Sequence, residues 1–348
     1  MAHCVLALGP DHAGGLLHQL IDSARARLDV AVYELGPGYA SLLDRAARRG
    51  AAVRVLLDAH AGANSTSSTV LAAGGVACRV LGGRAGAEAH WKLLLADAST
   101  LATGSGNLIH RDAPEPGQAG TREWWAMVSG HAALLASAGA AFDAAWAEGA
   151  PPPLAWRRAV VALPEVPPVR VPPYSVEPLE LTVPGDHLRL AIGGEAIASL
   201  LHPRLVAARR RALVTVPYVH THVAPVQALL RTLSDRGAAG ATARLLLGGP
   251  PDPRDAEALA ATPHLSARVM DPARSTTGHA KGVVADDAAL VGSANWSGAG
   301  LGGNRESALL LDDGRAADWY AAAVERDWAV ALPLPGSRRA RLGRPPDG

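Results

Sequence analysis

Hydrophobic and polar positions follow the same order twice along this chain. Residues 16–27 place apolar side chains at helical spacing, and residues 28–33 then form a strand-like run. Residues 200–219 repeat this change from helical to strand periodicity. The interval between the copies is too long for a solenoid repeat, so the pattern predicts a duplicated domain.

Each copy continues with further helices and strands. A helical segment ends at a glycine, Gly50 or Gly237, which predicts a helix C-terminus before the next strand. A short helix and a strand come next. Strands that alternate with helices indicate an α/β unit. The matching segments are 39–50 with 226–237, 53–57 with 242–249, and 70–81 with 259–270.

The two copies also share a polar signature, H-x-K-x4-D followed by G-S-x-N. The chain has 33 basic residues, yet only two are lysines, and each lysine stands two places after a signature histidine. Two of the four asparagines close the signatures. The first copy has His90, Lys92, Asp97, Ser105 and Asn107, and the second has His279, Lys281, Asp286, Ser293 and Asn295.

This duplicated signature resembles that of the phospholipase D superfamily of phosphodiesterases. The resemblance implies two α/β halves, each a mixed sheet flanked by helices, that form a pseudo-dimer with one active site at their interface. It also implies that one signature histidine becomes covalently phosphorylated while the other protonates the leaving group. Since the resemblance more often places the nucleophile in the N-terminal copy, His90 is the expected attacker and His279 the expected acid.

The signature residue types suit phosphodiester chemistry. Such a reaction needs a nucleophile, a proton for the leaving oxygen and donors for the charge on the phosphate oxygens. Two copies facing each other supply two histidines, two lysines and two asparagines, enough to hold a phosphate without a metal ion or another cofactor. The serines and asparagines, Ser105, Asn107, Ser293 and Asn295, are the expected substrate-binding residues.

An Arg-Glu pair follows each signature, as Arg122-Glu123 and Arg305-Glu306. A single pair of this kind is usually solvent-exposed. Because the pair follows both signatures, the functional interpretation is favoured. The resemblance assigns such a glutamate to the second nitrogen of a signature histidine, where it would fix the tautomer.

The signature aspartates have two interpretations, one catalytic and one structural. The resemblance includes Asp97 and Asp286 in the catalytic signature. Alternation along a strand instead turns Asp97 to the face opposite His90 and Lys92. The pattern therefore predicts that both aspartates stabilise the turn after the signature strand, rather than contact phosphate.

Other aromatic and histidine residues have structural alternatives. His220 and His222 share one strand face, where a polar pair is favoured over metal ligands, and pocket lining stays open. Trp91 is predicted to pack in the core, whereas Trp296 could belong to the core, to a lid or to the substrate channel. Trp124 and Trp125 are expected in the core, as are Trp319 and Trp328.

Composition sets the remaining bounds. The 348 residues have a formal net charge of +1, so no general attraction to nucleic acid or anionic lipid is indicated, although a local basic groove stays possible. Two cysteines predict reduced thiols. With no transmembrane segment and no signal peptide expected, a cytoplasmic monomer with an internal pseudo-dimer is predicted. The expected divisions are residues 1–148, a proline-rich linker at 149–185, residues 186–332, and a disordered basic tail at 333–348.

The substrate class has three alternatives at this stage. Phospholipids are favoured because the charge is near neutral and no nucleic-acid module is recognisable. A nuclease acting on single-stranded DNA or RNA is the second. A binding protein that keeps the fold without turnover is the third, and the two intact signatures count against it.

Overall fold

Each copy of the repeat forms an eight-stranded mixed sheet in the computed structural model. The structure describes residues 1–82, 87–158, 172 and 174–334. In spatial order the first sheet is β4-β3-β2-β5-β6-β7-β1-β8. Its strands are β1 (Ala2–Gly9), β2 (Arg27–Val32), β3 (Ala52–Asp58), β4 (Ala77–Leu81), β5 (Lys92–Ala96), β6 (Thr100–Gly104), β7 (Glu123–Ser129) and β8 (Leu179–Val183).

The second sheet has the order β16-β12-β11-β10-β13-β14-β15-β9. Seven of its strands follow the same order as seven strands of the first sheet, which agrees with the predicted duplication. Each sheet has one further strand at an edge, β8 in the first and β16 in the second. The strands of the second sheet are β9 (Leu188–Ile192), β10 (Arg211–Val216), β11 (Thr242–Leu247), β12 (Ser266–Val269), β13 (Gly282–Ala285), β14 (Ala288–Gly292), β15 (Ser307–Leu311) and β16 (Leu332–Pro333).

Helices cover the sheets on both sides. One cluster of buried side chains lies between the sheets and includes residues of both sheets together with α4 and α8. Separate clusters pack α1 and α2 on the first sheet, and α5 and α6 on the second. The helices are α1 (Ala13–Ser23), α2 (Pro37–Arg48), α3 (Ala63–Ala73), α4 (Ala132–Glu148), α5 (Gly194–Ala207), α6 (Ala224–Ala238), α7 (Pro253–Ala261) and α8 (Gly314–Val330).

Aromatic packing joins the two copies at their centre. The Trp124 ring of β7 stacks on Tyr320 of α8, with ring centroids 4.2 Å apart. The Tyr320 hydroxyl donates to the Trp125 carbonyl oxygen at 2.9 Å. Such a pair contributes about 0.5–1.5 kcal/mol beyond burial of its area. This contact fixes the first sheet against a helix of the second copy, and so fixes the geometry of anything built between them.

One predicted helix end is wrong. Gly50 follows α2 with φ of 101°, as expected for a left-handed residue after a helix. Gly237, by contrast, lies inside α6, and the glycine with positive φ is Gly240, at 95°. The helix continues one residue beyond Gly237, to Ala238, because a single glycine costs a helix only about 1 kcal/mol.

The predicted linker and tail are described only in part. The stretch 149–185 contains β8, which pairs with β1 of the first sheet. Residues 159–171 and 173 of the linker, and residues 335–348 of the tail, lie outside the described residues. The division of the chain at these points stays a prediction. Within the described ranges, no helix combines the length and the apolar character needed to cross a membrane.

Candidate active site

The signature histidines lie where the two sheets face each other. His90 and Trp91 precede β5, and His279 precedes β13, so the histidines are not strand residues as the sequence pattern suggested. The backbone just before each signature strand forms hydrogen bonds with the opposite copy instead. His279 N donates to the Arg122 carbonyl oxygen at 3.0 Å, and Arg305 N donates to that of Glu88 at 2.9 Å. This pairing places each histidine beside the glutamate of the other copy.

The two histidines and two glutamates form crossed pairs. His90 Nδ1 lies 3.0 Å from Glu306 Oε2, and His279 Nδ1 lies 2.5 Å from Glu123 Oε1. Both glutamates are fully buried. A carboxylate at Nδ1 fixes the proton on that nitrogen and leaves Nε2 free to react. Neither copy alone could build this arrangement.

Each glutamate is held by its own copy. Ser105 Oγ donates to Glu123, and Ser293 Oγ donates to Glu306. Thr121 Oγ1 and Asn304 Nδ2 add contacts to Glu123 and Glu306 at 3.1 and 3.2 Å. These donors satisfy carboxylates that burial would otherwise penalise. Both serines are fully buried, and their hydroxyls also accept from the backbone N–H groups of Trp124 and Ser307, at 2.9 and 3.0 Å. Their substrate-binding role stays a prediction.

Both lysines are buried and fold back toward their histidines. Lys92 Nζ donates to the His90 carbonyl oxygen at 2.6 Å, and Lys281 Nζ donates to that of His279 at 2.7 Å. Lys281 Nζ also lies 2.8 Å from His279 Nε2. Burial and, to a smaller extent, the charge of Lys281 lower the pKa of Lys92 to about 7, and burial lowers the pKa of Lys281 to about 8. Two mutually repelling ammonium groups favour an anion between them.

The signature asparagines complete the cluster. Asn107 and Asn295 are buried, and among the described residues the Oδ1 atoms of both lack a hydrogen-bond partner. Buried side-chain amides are normally satisfied, and Asn107 Nδ2 already donates to Asp112 Oδ2 at 3.0 Å, so the amide oxygens are the atoms that can accept hydrogen bonds from a ligand.

One protein-family model matches both copies of the repeat. The family model for the PLD-like domain of cardiolipin synthase matches residues 17–144 and again 201–328, which together exceed half of the chain. This chain belongs to the phospholipase D-like family. No curated protein sequence matches it.

Two solved structures share the fold of this phospholipase D-like protein over most of its length, and a third matches a smaller part of it. Phosphatidylserine synthase of Haemophilus influenzae is 14% identical, with a TM-score of 0.64 over 94% of this chain and 87% of that chain. Polyphosphate kinase of Porphyromonas gingivalis is 15% identical, with a TM-score of 0.58 over 93% of this chain and 50% of that chain. Nuc of Salmonella typhimurium is 21% identical, with a TM-score of 0.39 over 43% of this chain and 97% of that chain.

An additional carboxylate makes the phospholipase D-like site asymmetric. Asp112 is fully buried, and its Oδ2 lies 3.7 Å from His279 Nδ1. Burial alone would raise the pKa of Asp112, but the neighbouring His279 and Arg111 lower it to about 2. Sequence reasoning missed Asp112, although it stands five places after the signature Asn107 and has no counterpart after Asn295. His279 therefore has two carboxylates nearby.

His90 has the more apolar surroundings. Its side chain is buried, and the Tyr33 ring lies 5.1 Å away between centroids. Burial lowers the pKa of His90 to about 4, although the carboxylate of Glu306 acts in the opposite direction. His90 is consequently a neutral imidazole at physiological pH. The two histidines, alike in the sequence pattern, have different charge environments in the fold.

The signature aspartates lie outside this cluster. Asp97 accepts hydrogen bonds from the backbone N–H groups of Arg25, Ala26 and Arg27 at 2.8 to 3.3 Å. Asp286 accepts the equivalent bonds from Arg209, Arg210 and Arg211 at 2.8 to 3.0 Å. Each aspartate thus holds the loop before β2 or β10, rather than its own turn as expected. The structure does not bring either aspartate to the histidines.

The arginines of the two Arg-Glu pairs differ. Arg122 is buried, with Nε 3.1 Å from Asp327 Oδ2 and Nη1 3.0 Å from Asp11 Oδ2. Arg305 is exposed and pairs with Glu148. The glutamates of the two Arg-Glu pairs are therefore equivalent, and the arginines are not.

One group of side chains in the site has the spacing of metal ligands. Within the described ranges, Asp112, Glu123 and His279 are the group whose potential ligand atoms all lie within 4.8 Å of one another. His279 Nδ1 is already bonded to Glu123 there. Whether the reaction is independent of metal stays a prediction.

The other predicted aromatic positions have clear locations. Trp91 packs with Leu56 and Phe142, and Trp296 is buried against the second sheet. Tyr218, His220 and His222 form a row along one side of a single segment, with neighbouring ring centroids 5.2 and 5.7 Å apart. The hydroxyl of Tyr218 is close to Asn295, so this row begins at the site and extends away from it.

Proposed function

We propose that this protein cleaves or transfers phosphodiesters through a covalent phosphohistidine, without a metal ion. The observation that carries the proposal is the pair of crossed His–Glu contacts between two buried lysines. This arrangement provides two oriented imidazoles that act on one phosphate, with cationic donors for its oxygens.

In the first step His90 attacks phosphorus. Its Nδ1–H is held by Glu306, so Nε2 carries the lone pair, and its lowered pKa keeps the ring neutral. A bond forms between Nε2 and phosphorus as the bond from phosphorus to the leaving oxygen breaks. Lys92 and Lys281 stabilise the charge on the other phosphate oxygens. The two signature asparagines offer amide oxygens that accept hydrogen bonds from hydroxyl groups of the substrate.

His279 supplies the proton to the leaving oxygen. Glu123 and Asp112 both lie near its Nδ1, so two carboxylates orient this ring, whereas one carboxylate, Glu306, orients the ring of His90. Once neutral, His279 takes a proton from water or an alcohol, whose oxygen attacks phosphorus and releases His90. This asymmetry supports His90 as the nucleophile.

A covalent trap tests the proposal. With a p-nitrophenyl phosphodiester, whose leaving group needs little protonation, His279→Ala should accumulate phosphorylated protein and His90→Ala should not. His264→Ala, on a turn after α7, serves as a control that turns over normally. A phosphoryl group found on His279 of His90→Ala, with none on His90, would reverse the assignment. Absence of any phosphoprotein would refute the covalent mechanism.

Phospholipids are the favoured substrates. The matching family model is named for cardiolipin synthase, and a phosphatidylserine synthase shares the fold over most of both chains. The near-neutral net charge gives no general attraction to nucleic acid. Release of a head group from phosphatidylcholine, in the presence of chelator, should therefore exceed release of nucleotides from single-stranded DNA.

A nuclease is the second candidate function. The row of Tyr218, His220 and His222 supports it, because successive aromatic rings beside a phosphate site can stack unpaired bases. Preferential release of nucleotides in the same comparison would favour this alternative. No turnover of either substrate would favour a binding protein that retains the fold.

A further inference from the structure

A small pocket opens beside His279. It has a volume of ≈ 250 Å³ and is lined by residues that include Arg111, Pro217, Gly248, Gly249, Gly278 and His279. Ligand pockets for drug-sized molecules usually measure ~300–1,000 Å³, so this one suits a smaller group. Besides Arg111 and His279, its lining consists of three glycines, two threonines and one proline, so Arg111 is the arginine among its lining residues.

Arg111 has donors to spare. Among the described residues its ion pair is with Asp112, through Nε at 3.1 Å, and its side chain is 30% exposed. The Asp112 carboxylate is also held by Asn107 N at 3.0 Å and Thr121 Oγ1 at 3.2 Å. Asp112 therefore fixes one edge of the guanidinium, and the terminal nitrogens can bind a carboxylate or phosphate as a fork.

The reaction places two groups in this pocket in turn. The same imidazole that protonates the leaving oxygen must deprotonate the entering one, so both oxygens come within hydrogen-bond reach of His279. We infer that the pocket binds the leaving alcohol and then the acceptor alcohol, and that Arg111 selects a small alcohol that carries an anionic group. This inference rests on the proposed function and extends it to the substrate class.

The second step forms and breaks the same kinds of bond for every acceptor. The acceptor hydroxyl gives its proton to neutral His279, its oxygen forms a bond to phosphorus, and the bond between phosphorus and His90 Nε2 breaks. Water performs hydrolysis by the same route. The fraction of phosphoenzyme that transfers to an added alcohol therefore measures how well the pocket holds that alcohol, independently of the donor.

The test compares three acceptors with the same carbon skeleton. A p-nitrophenyl phosphodiester forms the phosphoenzyme, and glycerol, glycerate and glycerol 3-phosphate compete with water for it. We expect transfer to the two anionic alcohols to exceed transfer to glycerol by about 10-fold or more, the order that a charge-assisted hydrogen bond supplies. A preference for only one anion would identify whether carboxylate or phosphate is the recognised group.

Substitutions test whether Arg111 and the pocket cause the preference for anionic alcohols. Arg111→Gln should abolish it and Arg111→Lys should restore part of it. Arg315→Gln removes the arginine of another Arg–Asp pair, at the start of α8, and should keep the full preference. Gly249→Leu tests the pocket separately: Gly249 lines the pocket and a Cβ there meets no atom within 4 Å, so a larger side chain at this position requires no backbone shift. This variant should lower transfer to all three alcohols relative to hydrolysis.

The outcomes separate the two proposals. Absence of phosphoenzyme in both the unmodified protein and His279→Ala refutes the proposed function itself. Phosphoenzyme that forms normally but transfers equally to the three acceptors, or to none, overturns the inference. It is also overturned if Arg111→Gln keeps the preference, or if Gly249→Leu transfers to alcohols as well as the unmodified protein does.

Discussion

The crossed contact between His90 and Glu306 gives a quantitative test of the site. Glu306→Gln keeps the shape of the side chain and removes its charge. The fully buried carboxylate lies 3.0 Å from His90 Nδ1, so the substitution replaces a charge-assisted hydrogen bond with a neutral one. When Nε2 bonds to phosphorus, the ring becomes positive, and the lost charge acts mainly on the transition state.

The size of the effect can be bounded from both sides. A hydrogen bond to a charged group contributes about 1.5–3 kcal/mol, which corresponds to a rate loss of roughly 10- to 100-fold. Two unit charges about 4 Å apart interact by about 4 kcal/mol at an effective dielectric of 20, a loss of roughly 1,000-fold. We therefore expect phosphorylation to slow by between about 10- and 1,000-fold.

Stopped-flow measurement of the p-nitrophenol burst reports phosphorylation directly. Glu123→Gln is the matched variant, because it affects His279 rather than His90. It should slow steady-state turnover while keeping most of the burst rate, since p-nitrophenol needs little protonation. A thermal melt of each variant verifies that the fold is kept. If Glu123→Gln loses the burst and Glu306→Gln keeps it, the roles of the histidines are reversed.

Three further predictions concern charge, turns and metal. Since the lysines hold phosphate as cations and the pKa of Lys92 and of Lys281 are lowered to about 7 and about 8, kcat/KM should fall as pH rises through this window; a plateau to pH 9 would contradict this. Asp97→Asn and Asp286→Asn should each lower the free energy of unfolding by about 1–3 kcal/mol and keep most turnover, and normal melting with lost turnover would show a direct catalytic role. Activity should survive excess EDTA. Loss of turnover that added divalent metal restores would contradict a metal-independent reaction.

The sequence alone determined the duplicated fold and most residues of the site. Local periodicity is repeated in both copies, and periodicity is what helices and strands require of a sequence. The strand-like run at residues 28–33, for example, corresponds to β2, Arg27–Val32. The two lysines and the histidines before them were recognisable because their spacing recurs in a chain with no other lysine.

Only the tertiary structure decided how these residues pair. Each copy contains one signature histidine and one glutamate, so pairing within a copy and pairing between copies fit the sequence equally well. Packing of the two sheets brings Glu306 to His90 and Glu123 to His279 across the interface. Asp112 reaches His279 from the other copy for the same reason. Contacts between distant segments depend on how the sheets pack, and the spacing of residues within each copy does not contain that information.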